Sequence, residues 1–166
     1  MTITLVPHDP GWADLYERTA GEIHGVLGSS ALRIDHVGST SVPGIVAKPV
    51  IDVRVLVERY DPEAVYTAAL SSLGFAYDHR VRIGLVLLND MDVEPRSLAR
   101  ALEEDMAFIA MVVFRDYLRT HPDEARRYEE LKVGLAERHR GGDAYASAKS
   151  SYVAEVLSLA GASTGG

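Results

Sequence analysis

The sequence predicts an α+β fold, a β-sheet with helices packed on it and a helical layer built by the C-terminal third. Three observations carry that expectation. Val50 to Val57 (Val-Ile-Asp-Val-Arg-Val-Leu-Val) is dense in β-branched residues and bears the strongest strand signal in the chain. Strand-like and helix-like segments alternate through about residue 105. From Phe108 onward the apolar residues recur at helical spacing.

Taken in order, Pro10 and Gly11 open a segment with Trp12, Leu15, Tyr16, Thr19, Ile23, Val26 and Leu27 at helical spacing. This predicts a first helix from about Pro10 to Leu27, stopped by Gly28. Ala31 to Val37 alternates in part and predicts a short strand. In the following Gly38-Ser39-Thr40-Ser41-Val42-Pro43-Gly44, proline and glycine end any helix after about one turn. After the Val50 to Val57 strand, Asp61-Pro62 supplies an N-cap and an N1 proline for a helix that Gly74 closes. Val81 to Leu88 predicts a second apolar strand, and Asn89 to Asp105 is acidic and mixed, with Ser97 to Glu104 fitting either strand or helix. Phe108 to Leu118 predicts a helix. His121-Pro122-Asp123-Glu124 starts another, its acids favoured by the dipole of the first turn. Gly141-Gly142 separates it from a third, Ala144 to Ala160. The expected organisation is a single domain over 1–166: a sheet core to about 105, a helical layer over about 106–160, and a frayed tail over 161–166.

Composition narrows the function classes. The chain has 166 residues, 47% hydrophobic and 25% charged, the balance of a soluble globular protein long enough to bury a core without staples. It has no cysteine, which excludes disulfides, thiolate metal sites and cysteine catalysis. The longest apolar run, Ile83 to Leu88, is too short to span a bilayer, and the opening residues lack a basic n-region. The expectation is a cytoplasmic protein away from membranes, with the oligomeric state left open. A net charge of −7 disfavours general nucleic-acid binding, while a small anion held by a few placed cations fits. Fourteen arginines stand against three lysines, Lys48, Lys132 and Lys149. Arginine does not replace a compact ammonium, so those three positions draw notice.

The chemistry concentrates in Arg33 to Thr40 and Lys48 to Arg54. A Gly38-Ser39 pair at a strand exit offers backbone N–H groups and a hydroxyl with little steric cover, so it can approach a phosphate closely. Asp52 follows in a strand flanked by β-branched residues, where a carboxylate is costly unless paired or on a metal. Together they are a minimal kit for phosphoryl or nucleotidyl transfer.

Val37-Gly38-Ser39-Thr40-Ser41-Val42-Pro43-Gly44-Ile45 with Ala47-Lys48-Pro49-Val50-Ile51-Asp52 resembles the signature of the GrpB family. The resemblance extends to Asp9-Pro10-Gly11-Trp12, Phe114 to Arg119, Tyr128 to Lys132 and Tyr145 to Lys149, and so covers nearly the whole chain. It implies a nucleotidyltransferase-type mixed sheet, handling of a nucleoside triphosphate or related phosphorylated small molecule, and Mg²⁺ as cofactor. It also implies a habit of fusion to dephospho-CoA kinase. In that reading Asp52 is the catalytic and metal-binding acid. Gly38, Ser39, Thr40, Lys48, Arg54, Arg115, Lys132 and Lys149 hold phosphate.

The chain departs from the wider fold's pattern at one telling place. The second acid of the usual Asp-x-Asp or Asp-x-Glu pair is Arg54, on the same strand face as Asp52. A cation there opposes a metal by about 1–4 kcal/mol at 4 Å in surface-like surroundings. Residues 82–104 are the least family-like, and Asp90 or Asp92 is the preferred candidate for a further acid. Blander roles stand beside these. Asp52 fits an ion pair with Arg54 or Arg33, and His36 a hydrogen-bonded structural histidine. Arg115 and Arg119 fit a solvated helix face, and Lys132 and Lys149 fit packing against Tyr128 and Tyr145 four residues earlier. Enzyme and noncatalytic nucleotide-binding module are the leading alternatives, with a structural partner domain, suggested only by the fusion habit, as a third.

Overall fold

Helix α1 (Gly11–Leu27) starts where the Asp9 carboxylate accepts the Gly11 N–H at 2.8 Å and ends at Gly28, whose φ of 54° only glycine adopts readily. The computed structural model describes residues 3–57, 63–77, 86–90, 96–98, 106–138, 145 and 147–163. Strand β1 (Ala31–Val37) leads into a 3₁₀ turn at Ser39–Ser41, followed by β2 (Val50–Val57), α2 (Glu63–Ser71) and β3 (Phe75–Tyr77). Strands β4 (Val86–Asp90) and β5 (Arg96–Leu98) precede helices α3 (Met106–Thr120), α4 (Pro122–Arg138) and α5 (Ser150–Ser163).

The strands form one mixed sheet in the order β1-β2-β4-β5-β3, antiparallel except for the β3–β5 pair. The period-2 alternation of β2 divides its side chains between two layers. Ile51, Val53, Val55 and Val57 bury with Trp12, Ile23 and Leu27 of α1 and Leu70 of α2. Leu56 faces the other way with Val37, packing on Val112 and Met111 of α3. Asp52 and Arg54 share that second face by strand parity. A third cluster joins Val42 and Ile45 of the connecting loop to Leu118, Ala125, Tyr128, Tyr152 and Val156, tying α3, α4 and α5 together.

The α+β expectation holds, with local corrections. The strand expected at Val81 to Leu88 lies at Val86–Asp90, residues 81–85 being outside the described residues. Arg96–Leu98 resolves the strand-or-helix ambiguity for its first residues, and 99–105 lie outside the described ones. The Asp61-Pro62 cap also lies outside them. Strand β3 was not expected: three residues are too few to show a period. The expected tail at 161–166 begins too early, because α5 continues to Ser163 beyond the buried Val156 and Ala160 that anchor it. Among the described residues no helix is long and apolar enough to cross a membrane.

Arg115 fastens α3 to the sheet edge. Its Nη1 donates to Asp35 Oδ1 at 3.2 Å and to the His36 carbonyl at 2.9 Å, while Nε donates to Asp116 at 2.7 Å. Both Arg115 and Asp35 are buried, so losing one partner strands a charge. Arg115→Ala is expected to cost about 3 kcal/mol by urea unfolding. Arg33→Ala, which removes the half-exposed second partner of Asp35, should cost under about 1 kcal/mol. Equal losses would contradict this division.

Candidate functional site

The end of β1 and the middle of β2 meet at Gly38 and Asp52. Val37 is the register partner of Asp52 across the antiparallel pair, so the turn after β1 passes directly over the carboxylate. Gly38 has φ 72°, and a Cβ built there would run into Asp52 Oδ2 and lie 2.8 Å from its Cγ. Only a residue without a side chain permits this approach. The structure thus brings together the two features that the sequence singled out.

The 3₁₀ turn is braced from within. Ser41 Oγ donates to the Gly38 carbonyl at 2.6 Å, and Thr40 Oγ1 donates to the Val50 carbonyl at 3.0 Å. With that one hydroxyl proton used, the 3.0 Å contact between His36 and Thr40 requires His36 Nε2 to be the donor. Burial, with Arg119, Arg115 and His8 nearby, pushes the His36 pKa down to about 4, so the ring is neutral. It stacks on Tyr16 at 4.8 Å. Arg119 Nε donates to the Ser41 carbonyl at 2.8 Å, holding the far end of the turn.

The loop that carries Lys48 is held from two sides. Val6 and Ala47 exchange backbone hydrogen bonds of 2.8 and 3.0 Å. Opposite, Glu129 Oε1 accepts the Val46 N–H at 2.6 Å and Lys132, three residues along α4, donates to the Val46 carbonyl. Lys132 is 1% exposed, and burial together with the Lys149 charge pushes its pKa down to about 7. Its ammonium also lies 4.9 Å from the centre of the Tyr128 ring.

Above Asp52 opens a cavity of about 480 Å³, bounded by Gly38, Ser39, Asp52, Tyr128 and Lys149 at its polar side. Met111 and Phe114 of α3 and Val153, Ala154 and Leu157 of α5 supply its apolar wall. Lys149, in the turn before α5, and Lys48 both lie over the buried Tyr145 ring, at 4.4 and 4.8 Å. Burial raises the Asp52 pKa to about 6, although Lys149, then Arg54, then Lys48 pull it down. Lys149 is lowered, chiefly by burial and further by Lys48, with Asp52 opposing. Tyr128 is raised by burial, while a hydrogen bond with the Ser39 side chain acts the other way.

Of the residues expected at the site, Gly38, Ser39, Asp52 and Lys149 line the cavity, and Lys48 stands beside Lys149. Thr40, Arg115 and Lys132 do not line it: each is buried and spends its polar atoms on holding backbone or a carboxylate. In this structure these three brace the turn, the helix and the loop. Arg54 is 4% exposed, opposite Asp35 in the β1–β2 register, and lies outside the lining. Sequence reasoning did not assign the apolar wall. Its signals were the i, i+4, i+8 stripe Lys149, Val153, Leu157 and the i, i+3 pair Met111, Phe114.

The family model described as GrpB protein matches residues 2–159. The chain belongs to the GrpB family. It is 36% identical over 170 residues to a UPF0157 protein of Halalkalibacterium halodurans, covering 97% of this chain and 84% of that one. A dephospho-CoA kinase of Mycobacterium bovis is 40% identical over 74 residues, which span 43% of this chain and 18% of the kinase. The crystal structure of the conserved protein GrpB from Enterococcus faecalis superposes with a TM-score of 0.78 at 25% identity, covering 95% of this chain and 96% of that chain. The α+β architecture is thus that of a solved GrpB structure and is consistent with a nucleotidyltransferase-like fold.

Two groups of the site give opposite pH dependences to the stability of this GrpB-family fold. His36 titrates at about 4 when folded against an ordinary value of 6.5, so its contribution is present above 6.5 and is lost as pH falls towards 4. Asp52 titrates at about 6 when folded against 3.8, so its contribution is present below 3.8 and is lost as pH rises through 6. Each amounts to about 3 kcal/mol, and the two offset one another between about pH 4 and 6. Relative to wild type, Asp52→Asn is expected to lose stability on acidification through that window, and His36→Gln to gain it. Urea midpoints at several pH values check both signs, and parallel curves for all three proteins would contradict them. At Gly38, alanine should destabilise by more than the roughly 1–2 kcal/mol of left-handed backbone cost. Gly44→Ala, at φ 82° with open space around it, should show that backbone cost alone in the same assay.

Proposed function

We propose that this GrpB-family protein is a cytoplasmic binder of a nucleoside triphosphate or related phosphorylated small molecule, not of nucleic acid in general. The observation that carries this reading is a cavity lined by both polar and apolar groups. The Gly38-Ser39 turn, Asp52, Tyr128 and Lys149 supply the polar lining and Met111, Phe114, Val153 and Leu157 the apolar lining, with Lys48 over the same Tyr145 ring as Lys149. A volume of about 480 Å³ is the size that takes one small ligand. Lysine ammoniums with partly dry walls attract phosphate more strongly than they would in water. The wall offers a base or another flat apolar body a place to bury.

Magnesium is a poorer fit. Asp52 contributes one carboxylate, and its charge neighbours are Lys149, Arg54 and Lys48, which repel a divalent cation. Among the described residues no group of three or more His, Asp or Glu side chains is placed to hold a metal ion. Among the described residues the donor set does not fit a resident Mg²⁺, which favours a binding module over Mg²⁺-dependent nucleotidyl transfer; of the two acids expected to complete it, Asp90 is the register partner of Val50 and Asp92 lies outside the described residues. The partial match to a dephospho-CoA kinase agrees with a setting of nucleotide-like ligands.

Calorimetric titration with ATP, with and without Mg²⁺, tests this. Binding with little Mg²⁺ dependence is expected, together with about tenfold or greater weakening in Lys149→Glu and a smaller loss in Ser39→Ala, worth about one hydrogen bond to a charged group. Absence of binding by the wild type, or unchanged affinity in both variants, would remove the reading. Strong Mg²⁺-dependent pyrophosphate release would restore the transferase.

A further inference from the structure

The cavity holds a second kind of chemistry in Lys149. Its ammonium sits at the cavity's polar side, over the buried Tyr145 ring, with the Lys48 ammonium over the same ring. A lysine that is desolvated and adjacent to another cation is the arrangement that activates an amine as a nucleophile. Both conditions are met: apolar residues 153, 154 and 157 follow Lys149 along α5, and Lys48 supplies the neighbouring charge. Across the cavity stands Asp52, a carboxyl held partly protonated near neutrality. Tyr128 of α4 also lines the cavity, and Lys132 of α4 and Arg54 of β2, outside its lining, interact by charge with Lys149 and Asp52 respectively. From α3, Met111 and Phe114 line it.

We propose that Lys149 is a nucleophilic amine that condenses with the carbonyl of a small anionic aldehyde or ketone bound in this cavity. The neutral amine adds its nitrogen lone pair to the carbonyl carbon, and the displaced π pair moves to oxygen, which takes a proton. The nitrogen of the resulting carbinolamine gives up a proton while the hydroxyl leaves as water, forming the C=N bond. Asp52 is the acid–base partner on the cavity wall, donating to the departing oxygen and accepting from nitrogen. One water is released and no oxidant or reductant is consumed. Lys48 is a positioning residue, acting through its charge on Lys149. The proposal shares the cavity with the nucleotide reading but does not need the ligand to be a nucleotide.

The chain offers few competitors, because its only other amines are Lys48, Lys132 and that of Met1. The experiment treats the folded protein at pH 7 with pyridoxal 5′-phosphate and, in parallel, with phosphate-free pyridoxal. Borohydride then reduces any C=N bond to a stable secondary amine, and peptide mass mapping locates it. Expected is label concentrated on Lys149 with both aldehydes, several-fold above each other amine, because Lys149 lines the cavity whereas Lys132 is 1% exposed and bonded to the Val46 carbonyl. Lys48→Met should reduce Lys149 labelling by pyridoxal several-fold at pH 7 but not at about pH 11, where both lysines are neutral. A lysine that is merely accessible would show no such pH-dependent response. Label spread evenly over the amines, Lys149 unlabelled, or Lys48→Met without effect at pH 7 each overturns the proposal. Lys149-specific labelling by pyridoxal in a protein that fails to bind ATP would remove the nucleotide reading alone. ATP binding with unselective labelling would remove the nucleophile alone.

Discussion

The close approach of Asp52 to Gly38 is the constraint on which the site depends. A strand carboxylate pressed against the Cα of the next turn leaves no room for a side chain, so the exit of β1 is locked to the middle of β2. That contact buries the carboxylate, which raises its pKa, and it turns Ser39 towards the cavity beside Tyr128. The 3₁₀ turn then closes on its own hydroxyls, Ser41 on Gly38 and Thr40 on Val50, so its geometry does not rely on a ligand. Preorganisation of this kind lowers the ordering cost of binding.

Around that contact the cations divide into two sets. Arg115, Arg119 and Lys132 are aimed at main-chain carbonyls, those of His36, Ser41 and Val46. Arg115 ties α3 to β1, and Arg119 and Lys132 tie α3 and α4 to the segment between β1 and β2. At Arg115 and Lys132 a buried guanidinium or ammonium is tolerated because it satisfies carbonyls that would otherwise be buried without partners. Lys149 and Lys48 are different. Both lie over the face of Tyr145, which attracts a cation weakly and leaves its hydrogen-bonding directions for other groups.

This division explains what the sequence disclosed and what it withheld. The Gly38-Ser39 turn, the Asp52 strand and the C-terminal helices were legible, because glycine at a turn, β-branched runs and 3.6-residue spacing are local signals. The meeting of Gly38 with Asp52 is set by the β1–β2 register, Val37 opposite Asp52, which no local signal carries. The partners of the cations were not legible. Arg115 and Lys132 have the same chemistry as Lys149, and only the packing of α3 and α4 against the sheet shows that they end on carbonyls. Strand β3 was too short to register, and the apolar wall draws single faces from two helices separated in sequence.

Arg54 gains a sharper meaning from the same geometry. Its position beside Asp52 suggested a direct neutralising pair, yet Lys149 acts on the Asp52 carboxylate more strongly than Arg54 does. The register sets Arg54 opposite Asp35, the acid that Arg115 and Arg33 also engage. Arg54 is buried and lies outside the cavity lining, and its charge favours the ionised form of Asp52. A permanent buried cation on the same strand face as a carboxylate works against a second positive ion and in favour of a negative one, since its charge cannot be titrated away. In the proposed anion-binding reading, Arg54 of the sheet would then add its charge to that of Lys149 and Lys48.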